Sequence, residues 1–589
     1  LRSISMAEAP TLNSLLERAA GHPKAGLRLL DRQERARWYP WSEIQRRARR
    51  VAGGLRDSGV AGGECVALVY PTCVEFFDAF FGVLMAGAVP VPLYPPVRLG
   101  RLTEYDDRTA AMLRAVEARM VLADRRVRRL LGPAIEAATP DLGCQALEDL
   151  SGSETQTVVV NEGDLALVQF SSGTTVDPKP VALSHRAIVA QTVLLNAFWP
   201  DSDGVVHSGA SWLPLYHDMG LIGCIFPALE RPGVITLLPP ELFVARPVAW
   251  LRAISHYGAT VSPAPNFAYG LCVEKIRDEE MEGVDLSSWR VALNGAEPVA
   301  PRVLRAFQER FSRWGLRSEA LTPVYGLSEA ALAVTFSAVE RPFFSRRFDR
   351  DQLAESDRAV DDPRGVEIVS VGRPLPGFEL RIVDRDRREL PPNRLGRLLV
   401  RGPSIMEGYL GRARATAEVL RDGWLDTGDL GFIADGELYL SGRAKDVLIL
   451  RGRNYSPVEV EHAVDRVEGV RVGCSAAVSF FPERADSEVL VVLLESRRGE
   501  SPRRFPEIAG AAVQAVRTAT GLEADHVEVL EAGTLPRTSS GKIRRHEALR
   551  LWRAGELGAP TPVTAWRLAG AMVRSKLAMA RTEKRRGQS

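Results

Sequence analysis

Phe170-Ser-Ser-Gly-Thr-Thr-Val-Asp-Pro-Lys-Pro-Val-Ala-Leu-Ser-His185 runs an apolar strand into a turn of hydroxyls and a glycine. The residues before it, Leu165-Ala-Leu-Val-Gln-Phe170, read as a buried strand. Gly173 lets backbone N–H groups approach anionic oxygens, Ser171, Ser172, Thr174 and Thr175 add donors, and Lys179 adds charge. That combination reads as a phosphate cradle. It is not a Walker loop, because the G-x-x-x-x-G-K-[ST] spacing is missing. Taken alone, the same residues could form a polar turn.

Outward from this stretch, strand-like and helical patterns alternate over the first 440 or so residues. Val66-Ala-Leu-Val-Tyr70 reads as another buried strand, and Phe76 to Ala86 and Pro301 to Trp314 read as helices. Such alternation predicts an α/β fold, with sheets covered by helices. The longest apolar stretch, Phe76 to Tyr94, contains Asp78 and is broken by Pro90 and Pro92. A spanning helix needs about 20 apolar residues, so a buried helix followed by a strand is expected instead. From Gly442 the pattern changes to that of a small α+β unit, with helices over Glu459–Val467 and Ala509–Thr520 and a strand over Glu488–Leu494. The expected organisation is a large domain over 1–441, a small domain over 442–551 and a basic tail over 552–589. Trp552 to Ser589 carries eight Lys/Arg and two Glu, a local net of +6. Trp566, Met572, Val573 and Leu577 recur there at roughly helical spacing, as in a helix laid on a surface.

The chain has 589 residues, enough for about four domain-sized units. Its 45% hydrophobic content is that of a protein with large cores and excludes disorder throughout. Lys and Arg number 76 against 74 Asp and Glu, a balance that argues against a general nucleic-acid binder. The six cysteines include no C-x-x-C pair, so a zinc site or disulfide framework is not expected and a reducing cytoplasm is. Leu1 to Ser5 precede the first methionine, and the N-terminus lacks the apolar core of a signal peptide.

Downstream of the hydroxyl turn come Asn294-Gly-Ala-Glu-Pro298, Tyr325-Gly-Leu-Ser-Glu329, Gly423-Trp-Leu-Asp-Thr-Gly-Asp429, Gly442-Arg-Ala-Lys-Asp446 and Pro536-Arg-Thr-Ser-Ser-Gly-Lys-Ile-Arg544. In this order, over nearly the whole chain, they resemble the adenylate-forming superfamily of acyl-CoA synthetases, luciferases and peptide-synthetase adenylation domains. The resemblance implies activation of a carboxylate by ATP, in which positioning and charge neutralisation do most of the work. It implies that Tyr325, with Gly326, stacks on adenine and that Asn294, Gly295 and Ala296 line the base. Glu329 would hold magnesium, Asp429 would accept from the ribose hydroxyls, and Arg443 would contact the same region. Lys542 would reach in from the small domain to bridge the carboxylate and the α-phosphate. Lys445 matches the hinge about which the small domain reorients between the two half-reactions.

Trp212-Leu-Pro-Leu-Tyr-His-Asp-Met-Gly-Leu-Ile-Gly223 and Ser262-Pro-Ala-Pro-Asn-Phe-Ala-Tyr269 look like fatty acyl-AMP ligases. Those enzymes hand a fatty acyl group to the acyl carrier protein of a polyketide or peptide synthase. His217 would border the acyl entrance. A general-base pair with Asp218 is not expected, because adjacent residues on one backbone rarely converge. The charged segment around 340–365 reads as irregular and matches the position of that branch's insertion, with Pro342-Phe-Phe344 as its anchor. Pro180 stands where relatives usually have glycine, which removes a donor after Lys179. A long-chain acyl-CoA synthetase and a non-catalytic scaffold on the same fold remain the rival readings.

Overall fold

The computed structural model describes residues 10–96, 99–150, 152–171, 179–199, 207–339, 341–450, 453–482, 488–538, 541–559 and 564–586. Two sheets form the frame of the large domain. In the first, Val89–Leu93, Cys65–Val69, Met120–Ala123 and Cys144–Gln145 run parallel in that order. Cys65–Val69 is buried at every position, as expected of a strand with helices on both faces. The second sheet has nine strands. Its parallel centre runs through Leu321–Gly326, Val291–Asn294, Val261–Ala264, Gly209–Ser211, Val234–Leu237 and Gly26–Leu30, and antiparallel strands close both edges.

The apolar stretch before Tyr94 is the helix Val74–Met85 followed by the strand Val89–Leu93. Its one charge, Asp78, is buried against Arg47, whose Nη2 and Nε donate to Oδ2 at 2.6 and 3.0 Å. Burial raises this carboxyl to about 6, against the downward pull of Arg47.

A third, antiparallel sheet carries Glu379–Val383, Gly396–Arg401, Trp424–Ala434 and Glu437–Arg443. Next to it, the charged segment is ordered rather than irregular. Ser345–Phe348 pairs antiparallel with Val366–Val369, and the helix Arg350–Ser356 lies between them. Phe348 supplies the reason: its ring packs edge-on to Phe432 and Tyr439, with centroids 4.9 and 5.4 Å away. Phe343 packs on the large domain while Phe344 is exposed, so only one ring of the pair is an anchor.

The small domain holds a sheet of Val470–Phe480, Val489–Ser496 and His526–Leu530, flanked by the helices Pro457–Val464, Phe505–Thr520 and Arg545–Arg553. At the end of the first helix, Asp465 accepts from the Gly473 N–H at 3.0 Å. Burial and the neighbouring Glu461 carboxylate nevertheless raise its carboxyl to about 7, opposed by Gly473, Arg302 and Ser475. A carboxyl that keeps its proton to higher pH in the folded than in the unfolded chain makes stability fall as pH rises between those two values. The window runs from the ordinary 3.8 to about 7. Asp465→Asn is therefore expected to raise the melting temperature more at pH 8 than at pH 5. Equal changes at the two pH values would show that Asp465 ionises normally.

The C-terminal helix Ala565–Arg586 packs back on the large domain, against the helix Gly132–Ala138. The apolar positions at helical spacing are not its seam. Ala571, Ser575, Ala578 and Thr582 are buried, whereas Trp566, Val573 and Leu577 face outward. Small side chains let the two backbones approach: Gly132 N–H donates to Ser575 Oγ at 2.8 Å. A Cβ on Gly132 would stand 2.1 Å from the Ser575 carbonyl oxygen. Arg581 grips Glu136 with two bonds of 2.6 and 2.7 Å.

Candidate active site

A cleft of roughly 2600 Å³ opens between the two domains, with Ala296, Tyr325, Asp429 and Lys542 among its walls. Strand ends build its inner side. Asn294 ends a buried central strand, and its Nδ2 donates to Asn266 Oδ1 at 3.3 Å. Its Oδ1 is buried without a hydrogen-bond partner among the described residues. Gly295 is required by space, since a Cβ there would meet Val324 Cγ2 at 2.7 Å. Ala296 follows with φ +68°, which turns the chain sharply away from the sheet.

Tyr325 ends the neighbouring strand and donates its hydroxyl to Asp429 Oδ2 at 2.6 Å. Asp429 and Arg443 are cross-strand partners, which sets Arg443 Nε 3.2 Å from Asp429 Oδ1. Burial and then the Asp429 charge push the Tyr325 hydroxyl well above its usual range. The same carboxylate raises Arg443.

The two strands that flank the hydroxyl turn in sequence pair with each other. Leu165–Phe170 pairs antiparallel with Pro180–Ser184, and Ser171 N–H donates to the Lys179 carbonyl at 3.0 Å. Pro180 opens its strand, where a missing donor is tolerated. Ser172, Gly173, Thr174 and Thr175 lie outside the described residues. Lys179 Nζ sits 4.6 Å above the ring of Tyr409, whose hydroxyl donates to Glu329 Oε1 at 2.9 Å. Tyr409 thus ties the flank of the turn to Glu329. A Gly-Tyr pair in an unremarkable segment gave no sign of it.

Lys542 belongs to the small domain and lines the cleft together with Glu297 and Asp429 of the large domain. Burial and the Arg443 charge lower its ammonium, while Asp218, Glu297 and Asp429 pull the other way. The basic run after it divides two ways. Arg544 is buried near Glu104, at 3.9 Å, and Arg545 clamps Glu461 and Asp446 within the small domain at 2.6 and 2.9 Å. Lys445 lies exposed in the turn after Arg443, and its carbonyl stands 2.9 Å from His546 Nε2.

His217 and Asp218 do converge, against expectation, with His217 Nδ1 2.6 Å from Asp218 Oδ1. The short helix Asp218–Leu221 explains it, because His217 caps that helix and its ring folds back over the first turn. Ser328 Oγ donates to the other oxygen of Asp218. Burial would raise Asp218, but His217, Ser328 and Lys542 together hold it far below the usual carboxylate range.

Residues 16–410 match the AMP-binding enzyme family. The chain belongs to that family. This AMP-binding enzyme is 34% identical over 581 residues to a putative acyl-CoA synthetase of Caulobacter vibrioides, covering 95% of this chain and 98% of that one. It is 32% identical over 528 residues to the medium-chain-fatty-acid–[acyl-carrier-protein] ligase JamA of Moorena producens, covering 86% and 88%. Among solved structures it is similar to a fatty acyl-adenylate ligase from work on the E. coli and L. pneumophila enzymes. The TM-score there is 0.86 at 30% identity, covering 93% of this chain and 98% of that chain. The shared fold is a large α/β domain followed by a smaller one. No helix among the described residues is long and apolar enough to cross a membrane.

Among the described residues of the AMP-binding enzyme, no cluster of three or more His, Cys, Asp or Glu side chains could hold a metal alone. Magnesium asks for less: one or two carboxylates, with phosphate oxygens and water completing the shell. Glu329, linked through Tyr409 to Lys179, fits that requirement.

Proposed function

We propose that this enzyme activates a fatty acid with ATP and passes the acyl group to the phosphopantetheine thiol of an acyl carrier protein. The observation that carries the first half-reaction is the place of Lys542, a small-domain residue, in the wall of the cleft that Ala296, Glu297, Tyr325 and Asp429 also line. In that step a carboxylate oxygen attacks the α-phosphorus, and the bond to pyrophosphate breaks. Tyr325 and Asn294 would hold the base, the orphan Oδ1 of Asn294 accepting from the adenine amino group. Asp429 and Arg443 would hold the ribose. Ser171 and Lys179, with Ser172, Gly173, Thr174 and Thr175, would hold the departing phosphates. Magnesium, held by Glu329, would neutralise phosphate charge. Lys542 places its cation where the carboxylate and α-phosphate oxygens meet, so its contact is strongest as charge redistributes.

His217 and its neighbours Tyr216 and Leu215 would border the acyl chain, two of them lining the cleft. Large and small domains would divide near Gly442, with Lys445 as the pivot. Transfer would follow after rotation: the carrier thiol sulfur attacks the acyl carbonyl, and AMP leaves. The carrier as acceptor is supported by JamA, whose name is that of an acyl-carrier-protein ligase.

The inserted helix supplies a test of acceptor choice. Arg350 bonds Glu459 at 2.8 Å and Glu355 bonds Arg453 at 2.7 Å, each pair joining the insertion to the small domain. Exposed pairs are worth up to about 1 kcal/mol each. Two of them, up to about 2 kcal/mol together, bias the domain arrangement by up to roughly thirtyfold, since about 1.4 kcal/mol is a factor of ten. Arg350→Ala with Glu355→Ala is expected to leave ATP–pyrophosphate exchange intact and to raise acyl-CoA formation severalfold from a low base. Efficient acyl-CoA synthesis by the unaltered enzyme would replace the carrier reading with the synthetase one.

A further inference from the structure

The C-terminal helix Ala565–Arg586 presents two opposite faces. Its inner face is committed to the Gly132–Ala138 helix through Ser575 and Arg581. Its outer face carries Trp566, Val573 and Leu577, which are 88%, 58% and 55% exposed. At 3.6 residues per turn these three fall within about 40° of one another. Arg574 and Lys576 lie about 80° to either side of that line. Both are exposed, as are Lys584 and Arg585 beyond it. The helix holds seven Lys/Arg against the single Glu583.

We propose that this face docks on an anionic lipid surface, with the helix lying in the plane of the interface. The helix is not apolar enough to cross a bilayer. An apolar strip with a Trp at one end and bases on both flanks is what a planar interface holds. The bases reach the anionic headgroups while the strip enters the acyl boundary. Charge decides against a second copy of this chain, because pairing through this face would bring the flanking Arg574 and Lys576 of one copy against those of the other. An acidic protein would satisfy the bases but has no need of a straight apolar strip about 16 Å long. Docking would also hold the cleft near the lipid, since Val127 and Leu130, just before the Gly132–Ala138 helix, line it.

The test is flotation of the full chain with vesicles of phosphatidylcholine alone or mixed with phosphatidylglycerol. Co-flotation is expected with the mixed vesicles only, and is expected to weaken with added salt. Trp566→Ser, Val573→Ser and Leu577→Ser together are expected to cut it at least about tenfold. Melting temperature and ATP–pyrophosphate exchange with a soluble short-chain acid should not change, because all three side chains face solvent. Absence of flotation with the mixed vesicles would overturn the proposal, as would equal flotation of the triple variant. Slower carrier acylation by the triple variant without lipid, or loss of a wild-type dimer, would reassign the face to a protein partner.

Discussion

Lys542→Ala is expected to fold normally and to lose acyl-AMP formation by at least about a hundredfold, the usual cost of removing one donor aimed at transition-state charge. Two bonds of its loop run through the Lys542 backbone and not its side chain. Lys542 N–H donates to Thr538 Oγ1 at 3.1 Å, and its carbonyl accepts from Thr538 N–H at 2.8 Å. Truncation therefore removes a cation from the cleft and leaves both of these backbone-donor bonds in place. Lys542→Arg is not expected to rescue, because a planar guanidinium cannot replace a point charge in a site already crowded by Arg443. ATP–pyrophosphate exchange measures the loss, and thermal unfolding confirms the fold. Transfer from supplied acyl-AMP should survive better. Near-normal acyl-AMP yield from the folded variant would remove Lys542 from the chemistry.

Gly326→Ala is expected to cost about 3 kcal/mol or more in stability and most of the activity. The strand Leu321–Gly326 shifts register against Ala333–Phe336 between Tyr325 and Gly326. That irregularity brings the backbones so close that a Cβ would stand 1.8 Å from the Leu332 carbonyl oxygen. The Leu327 N–H donates to the same oxygen at 2.8 Å, so the clash cannot be relieved without breaking that bond. Any relaxation would displace Tyr325 on one side and Glu329 on the other. Chemical denaturation, with ATP affinity measured separately, checks both consequences. A variant as stable as the parent would mean the bulge can open without cost.

The frame of the fold was legible because its strands are buried on both faces and its helices long. Leu165–Phe170 and the helix-then-strand reading of Phe76 to Tyr94 needed only local apolar runs. The motif residues were legible as a set, but their contacts were not. The closeness of Asp429 and Arg443 depends on antiparallel register across a hairpin with an irregularity after Leu430. The Tyr409 bond to Glu329 depends on a two-residue strand pairing with Pro180–Ser184. The inserted hairpin escaped notice because its strands pair across 18 residues or more and are too short to show a period. The terminal helix misled in the opposite way. Its prominent apolar residues face out, and its packing rests on Ala571, Ser575 and Ala578, which periodicity scarcely registers.

The return of that helix to the large domain changes what the small domain is mechanically. After the small-domain helix Arg545–Arg553 the chain returns, eleven residues later, as the helix Ala565–Arg586 gripped by Gly132 and Glu136 of the large domain. The small domain is thus hung like a door on two pins rather than swinging from one. A body held at two points turns freely only about the line joining them, and every other motion is limited by slack. The returning segment of eleven residues gives at most about 40 Å of reach when drawn straight. Arg101 adds a catch at that edge, its Nη2 bonding the Thr534 carbonyl at 2.9 Å. The order of the two half-reactions would then be written into a swing about one axis, with its far stop set by the length of a strap.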